Sequence, residues 1–233
     1  MDRRPSAVAA TLIAIPALLL AGLSLVSARA AFMTLGADAT LEEVRIGGKP
    51  GAERLTAAAN ANLSAAKWFE SARYNTLAAS ALFAAASEGA KVAPGDVERP
   101  LRDALRISPA SPYNWSRLAW LRYQAGDTKA AAAAWQMSVF TGRYKPPIAF
   151  TRLELGLKLR AMRDPLIEEE VRDQIILAAR SDANGLARFA NRTGAHALIR
   201  FVLARDNEAS EKYETANKSI QNQIAIRARA AAK

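Results

Sequence analysis

Three observations in the sequence predict an all-α protein with an N-terminal transmembrane helix followed by an array of antiparallel helical hairpins. Hydrophobic residues make up 51% of the chain with alanine dominant, while glycine (12) and proline (10) are sparse; alanine is the best helix former and a weak strand former. An uncharged run extends from Ala7 to Ala28, just behind Arg3 and Arg4. From Gly51 onward apolar residues recur at helical spacing, interrupted by glycine, proline and N-cap residues.

The N-terminal run has about the 20 residues needed to cross a hydrocarbon core. Pro16 and Gly22 lie inside it, and both types are tolerated in membrane helices. Residues 1–6, with Arg3 and Arg4, are expected to stay in the cytoplasm by the positive-inside tendency. Residues 7–28 would then form a single-pass anchor in the inner membrane, with the bulk of the chain on the periplasmic side. The small residues at Ala28-Arg29-Ala30 also fit a cleaved signal peptide; both readings export the remainder of the chain. Residues 29–50 read as a linker punctuated by Gly36, Gly47, Gly48 and Pro50, with a short helix over 41–46.

Residues 51–205 read as the helical domain. Helices are expected over 52–69 and 74–87. A third runs to Ile107, capped by Asp96. Ser111 followed by Pro112 is a cap and first-turn proline, and that helix stops at Gly126. Asp127 caps the next, which stops at Gly142. Residues 147–162 form another helix. Asp164-Pro165 opens a further one, with Glu168, Glu169 and Glu170 placed to complement its dipole. Ser181-Asp182 caps a shorter helix ending near Gly194, and residues 195–204 form the last. Residues 206–233 read as a polar and basic tail, loosely helical or disordered.

The hairpin over 112–142 resembles a tetratricopeptide repeat, whose unit is about 34 residues. Trp115, Leu118 and Ala119 match the start of the pattern, Ala131 and Trp135 its second-helix element, and Ser138 the next small position. Arg122 stands where the pattern has Tyr, and Arg143 where it closes with Pro. Pro109, with Leu101 and Ala104 before it, matches the end of a preceding unit. The wider stretch from Arg99 to Arg205 is similar to VpsP-like exopolysaccharide-biosynthesis proteins, small membrane-linked helical-repeat proteins. The resemblance implies a scaffold that binds protein partners of the cell envelope, among them polysaccharide-assembly machinery. In tetratricopeptide proteins the first-helix face off the packing seam lines a concave groove, and Tyr113, Arg117, Trp120 and Tyr123 occupy that face here. They are the candidate binding residues.

The chain has no cysteine and one histidine, His196. Thiol chemistry is excluded, and a His-based triad or multi-His metal site within one chain has no residues to build it. No phosphate-cradling glycine motif occurs. The expectation is therefore a non-enzyme with no cofactor, no metal and no catalytic residue; a glycan-cleaving enzyme built on two distant carboxylates is the alternative. The net charge of +10 suggests anionic neighbours. A basic region comprises Arg143, Lys145, Arg152, Lys158, Arg160, Arg163, Arg180, Arg188, Arg192, Arg200 and Arg205. Few aromatics interleave with it, so it suits an anionic glycan or lipid surface better than a nucleic acid.

A phosphatase reporter that works only after export, fused after Lys233, is expected to be active. Activity from a cytoplasm-dependent reporter at the same position, with the phosphatase silent, would overturn this topology.

Overall fold

The computed structural model describes residues 7–231, with side chains from 14 to 230. The N-terminal hexapeptide with Arg3 and Arg4 lies outside the described residues. All secondary structure among those residues is helical. The chain forms two compact units, residues 1–109 and 110–233.

The first unit contains α1 (Ala7–Arg45), α2 (Ala52–Trp68), α3 (Ala72–Ser87) and α4 (Pro94–Ile107), each packed on the next. Its interior is largely alanine: Ala58, Ala59, Ala65, Ala78, Ala79, Ala81 and Ala85 are buried, and such small side chains let helix axes approach closely. The helix α1 is long and apolar enough to cross a membrane. Ile15, Leu18, Leu19, Leu20, Leu23 and Leu25 are all more than half exposed, so this stretch is no buried core helix.

The linker expected over 29–50 is instead helix as far as Arg45. Gly36 costs a helix interior only about 1 kcal/mol, and the same stretch buries Ala30, Thr34, Ala37 and Thr40 on one face. The two threonine hydroxyls donate back to the carbonyls of Ala31 and Gly36, at 3.0 Å each. The true break is Gly47 to Gly51, where both terminal glycines have φ near +90°. Arg29 lies over the indole of Trp68 at 3.8 Å and so pins α1 to the end of α2. In α4, Ala93 is the N-cap and Asp96 sits inside the first turn; Asp96 acts on the helix dipole rather than as the cap.

The second unit contains α5 (Pro112–Gln124), α6 (Thr128–Thr141), α7 (Pro146–Leu159), a 3-10 turn (Arg160–Met162), α8 (Pro165–Ser181), α9 (Ala183–Thr193), α10 (His196–Leu203) and α11 (Asn207–Ala231). The capping residues read from the sequence do their work here. Ser111, Asp127, Asp164 and Asp182 accept from the amides of Asn114, Ala130, Leu166 and Gly185. Gly126 and Gly194 take positive φ at helix ends, where a side chain would be strained.

The tail expected beyond Asp206 is the helix α11, and its first half is core. Ala209, Tyr213 and Ala216 are buried as α11 packs on α8 and α9. Polar composition hides a narrow stripe at positions 209, 213 and 216, one residue per helical turn. Tyr213 also meets His196: its hydroxyl lies 2.8 Å from the imidazole Nδ1, and burial pushes the phenol up to about 12.

The α5–α6 hairpin packs as its spacing requires. Leu118 and Ala119 from α5 and Ala131, Trp135 and Ser138 from α6 are buried. Trp135 is fully buried and donates through its indole nitrogen to the carbonyl of Arg152 at 2.7 Å. Gly156 makes room for it: a Cβ there would lie 2.6 Å from the Trp135 ring. Trp135→Ala is expected to cost about 3–5 kcal/mol, read as a lowered urea midpoint of the detergent-solubilised protein; a loss below about 1 kcal/mol would remove Trp135 from the core.

Candidate functional site

Tyr113, Arg117, Trp120 and Tyr123 follow one another along a single face of α5. Tyr113 is exposed and the other three are half-buried. Two contacts hold this helix in place. The Ser138 hydroxyl of α6 donates to the carbonyl of Pro112 at 2.8 Å, fixing its N-terminal end. The Trp120 indole donates to the carbonyl of Thr151 on α7 at 3.3 Å, fixing the other end. Trp120 also meets Tyr123 edge-on, with ring centroids 6.1 Å apart. Trp120 is thus part of the packing between α5 and α7 as well as part of the face.

Arg117 is different. Burial pulls its guanidinium down from its ordinary value, and no carboxylate among the described residues forms an ion pair with it. A partly desolvated guanidinium, with its five donors, favours a carboxylate or carbonyl partner. On this face it sits one turn from the exposed phenol of Tyr113 and one turn from the Trp120 indole, a mixture of aromatic and arginine typical of protein interfaces.

Behind the face lies Arg152, which the sequence places in a basic surface region. The structure buries it completely. Its Nη1 donates to the carbonyls of Ser138 and Gly142, both at 2.8 Å. Its Nη2 donates to the carbonyl of Arg143 at 2.9 Å and to Gln174 Oε1 at 2.8 Å. Gln174 completes the ring by donating to the same Arg143 carbonyl at 2.7 Å. Burial pulls the Arg152 guanidinium down to about 10, opposed by the charge of Glu170. The carbonyls it gathers belong to the C-terminal end of α6, where the helix dipole favours a cation.

The glutamate run at the start of α8 divides among three environments. Glu168 lies in the first turn and pairs with Arg160 at 2.8 Å; Glu169 is exposed; Glu170 turns toward the interior, and its Oε2 is buried without a hydrogen-bond donor. Burial, reinforced by Asp164, Glu169 and Asp173, pushes the Glu170 carboxyl up to about 7 against the pull of Arg152. The helix dipole therefore accounts for Glu168 alone.

Half of the remaining basic region is paired within the chain, while Lys145, Lys158, Arg163, Arg188 and Arg205 form no ion pair among the described residues. Arg143 pairs with Asp173, Arg160 with Glu168, Arg180 with Asp206, Arg192 with Glu154 and Arg200 with Glu214. Among the described residues no three His, Asp or Glu side chains converge as a metal-ligand set.

No protein-family model matches the chain, and no curated protein matches it. The crystal structure of a de novo designed helical repeat protein is similar at 17% identity, covering 84% of this chain and 93% of that one, with a TM-score of 0.21.

The raised carboxyl of Glu170 sets a pH dependence. The unfolded chain loses this proton near 4.5 and the folded chain near 7, so the folded state binds more protons between those values and stability falls as pH rises through that window. Glu170→Gln is expected to flatten this slope, measured as urea midpoints from about pH 4.5 to 8. A slope identical to that of the unchanged protein would show that Glu170 titrates normally.

Proposed function

We propose that the protein is a non-enzymatic scaffold of the cell envelope, tethered by α1 in the inner membrane with its bulk in the periplasm, that binds protein partners through the outward face of α5. The process that fits the resemblance of residues 99–205 is exopolysaccharide biosynthesis or export. The observation that carries the reading is Arg117: a desolvated guanidinium without a carboxylate of its own, flanked by Tyr113 and Trp120 on a helix locked by Ser138 and Thr151. The partner expected there presents an acidic side chain or free carbonyls beside an apolar contact. Retention of α1 as an anchor is favoured over cleavage because a cut at Ala28–Ala30 would fall inside a helix that is continuous from Ala7 to Arg45.

A direct binder of anionic glycan or lipid is the second reading, prompted by the net charge of +10. The internal pairing of Arg143, Arg160, Arg180, Arg192 and Arg200 leaves that surface with less free positive charge than its composition suggests. A carboxylate-dependent glycan-cleaving enzyme draws support from the raised carboxyl of Glu170, a property of general acids. Such chemistry needs a second carboxylate across the bond to be cut. Glu169 and Asp173 share α8 with Glu170, and α6, which faces them across a shallow groove, contains no acid.

A photo-cross-linking residue at Tyr113 in the membrane-bound protein is expected to capture a discrete envelope protein, and Arg117→Glu to reduce that capture at least tenfold with helicity unchanged. Capture indifferent to Arg117→Glu would remove the α5 face from the proposal. New reducing ends released from exopolysaccharide by the purified protein, and abolished by Glu170→Gln, would replace the scaffold with the enzyme.

A further inference from the structure

Two surfaces of the second unit lie open and match each other in chemistry. The first is a groove of about 390 Å³ between the C-terminal half of α6 and the N-terminal half of α8. Phe140 and Leu166 stand on its two walls, 83% and 61% exposed. Glu169, Glu170 and Asp173 line the α8 side. Asp173 is paired with Arg143, but Glu169 has no ion-pair partner among the described residues, and Glu170 Oε2 has no donor. The groove thus offers two bare apolar side chains beside carboxylate oxygen in want of a cation.

The second surface is the end of α11. Burial on its own unit stops at Asn217, and residues 221–230 are exposed throughout. Gln221 still donates to Asn191 of α9, so residues 222–230, about 13 Å of helix, stand clear of their neighbours. It carries Ile224 and Ile226, with Arg227 and Arg229 directly behind them, and no acidic residue follows Glu214. Neither arginine forms an ion pair among the described residues. An unsupported helical end of this length is marginal in water, and apolar residues next to unpaired cations match a groove of apolar residues next to unpaired carboxylates.

We propose that the C-terminal end of α11 from one copy of this chain docks in the α6–α8 groove of a second copy. Ile226, one turn before Arg229 on the same face of the helix, then covers Phe140 and Leu166, and Arg229 reaches the exposed Glu169. The complementary charges select this occupant: an acidic segment is repelled by the groove, and a purely apolar one leaves the Glu169 carboxylate without a cation. The groove of the same chain is not available to the tail. The helix α11 is continuous from Asn207 to Ala231 and held through Tyr213 and Ala216, so its end cannot turn back without breaking. The contact joins unlike surfaces, so two copies close by exchanging tails, whereas an unreciprocated contact leaves a groove and a tail free for further copies.

The absence of cysteine makes a clean test. Leu166→Cys and Ile226→Cys are introduced into separate, differently tagged full-length chains, mixed in detergent and treated with a short bismaleimide. The mixed sample is expected to yield the cross-linked hetero-pair at least tenfold above either variant alone. Adding Arg227→Glu and Arg229→Glu to the tail chain is expected to abolish that link, and Glu169→Arg in the groove chain to restore it. All these positions are exposed, and unchanged helicity by circular dichroism confirms each variant's fold. No mixed link, an equal link between two Ile226→Cys chains, or indifference to the charge changes would each overturn the assignment. So would absence of the mixed link together with binding to phosphatidylglycerol vesicles that needs Arg227 and Arg229, which would make a lipid surface the occupant.

Discussion

The forked guanidinium of Arg152 organises the second unit. A buried cation is costly unless its donors are satisfied, and here four acceptors converge on its Nη1 and Nη2, leaving Nε alone without a partner: three main-chain carbonyls from the end of α6 and the turn after it, and the Gln174 amide of α8. A lysine at this position would carry the same charge on one nitrogen and could not hold acceptors from two helices in a plane. The backbone of the same residue accepts the Trp135 indole proton, and one turn later Gly156 clears the space that the indole ring fills. Side chain, main chain and neighbour thus dock the α5–α6 hairpin onto α7 and α8. The α5 face keeps its shape because that docking keeps it.

Local signals are the most legible part of the sequence. Ser111-Pro112, Gly126-Asp127, Asp164-Pro165 and Gly194 each act through a hydrogen bond or a φ angle within a few residues, so the chain's own order reveals them. Residues whose role depends on a distant neighbour are not legible in this way. The position of Arg152 is that of an interior residue: Ala149, Leu153, Gly156 and Leu159 place it on the buried stripe of α7. Its charge suggests the surface because its acceptors come from α6 and α8. Glu170 is similar, sharing a stripe with Ile167, Val171 and Gln174. The helix α11 is hidden because its core side is one residue wide. Of the candidate site, the shared face of Tyr113, Arg117, Trp120 and Tyr123 follows from helical spacing alone. The bond from Trp120 to Thr151, spanning 31 residues, does not.

Net charge describes this surface poorly. Five arginines of the second unit are tied to carboxylates in the chain, and a sixth is buried. Each exposed pair adds at most about 1 kcal/mol to stability, but together they determine which charges face outward unopposed. Charges without an ion pair among the described residues include Arg117 on α5, Glu169 at the head of α8, Arg227 and Arg229 at the end of α11, and Lys145, Lys158, Arg163, Arg188 and Arg205 of the basic region.

The absence of any loop between the apolar stretch of α1 and its packed stretch has a mechanical consequence. With α1 as the proposed anchor, a flexible tether would let the first unit drift and turn freely relative to the bilayer. A continuous helix, clasped by Ala30, Thr34 and Ala37 on one side and by Arg29 over Trp68, transmits rotation and tilt directly. One residue inserted between Leu25 and Arg29 would swing the first unit by about 100° around the helix axis and raise it by about 1.5 Å. The azimuth and height at which that unit meets its surroundings are therefore encoded in the register of α1, and under the proposed anchoring a change in bilayer thickness that alters the helix tilt would reorient the unit with the helix.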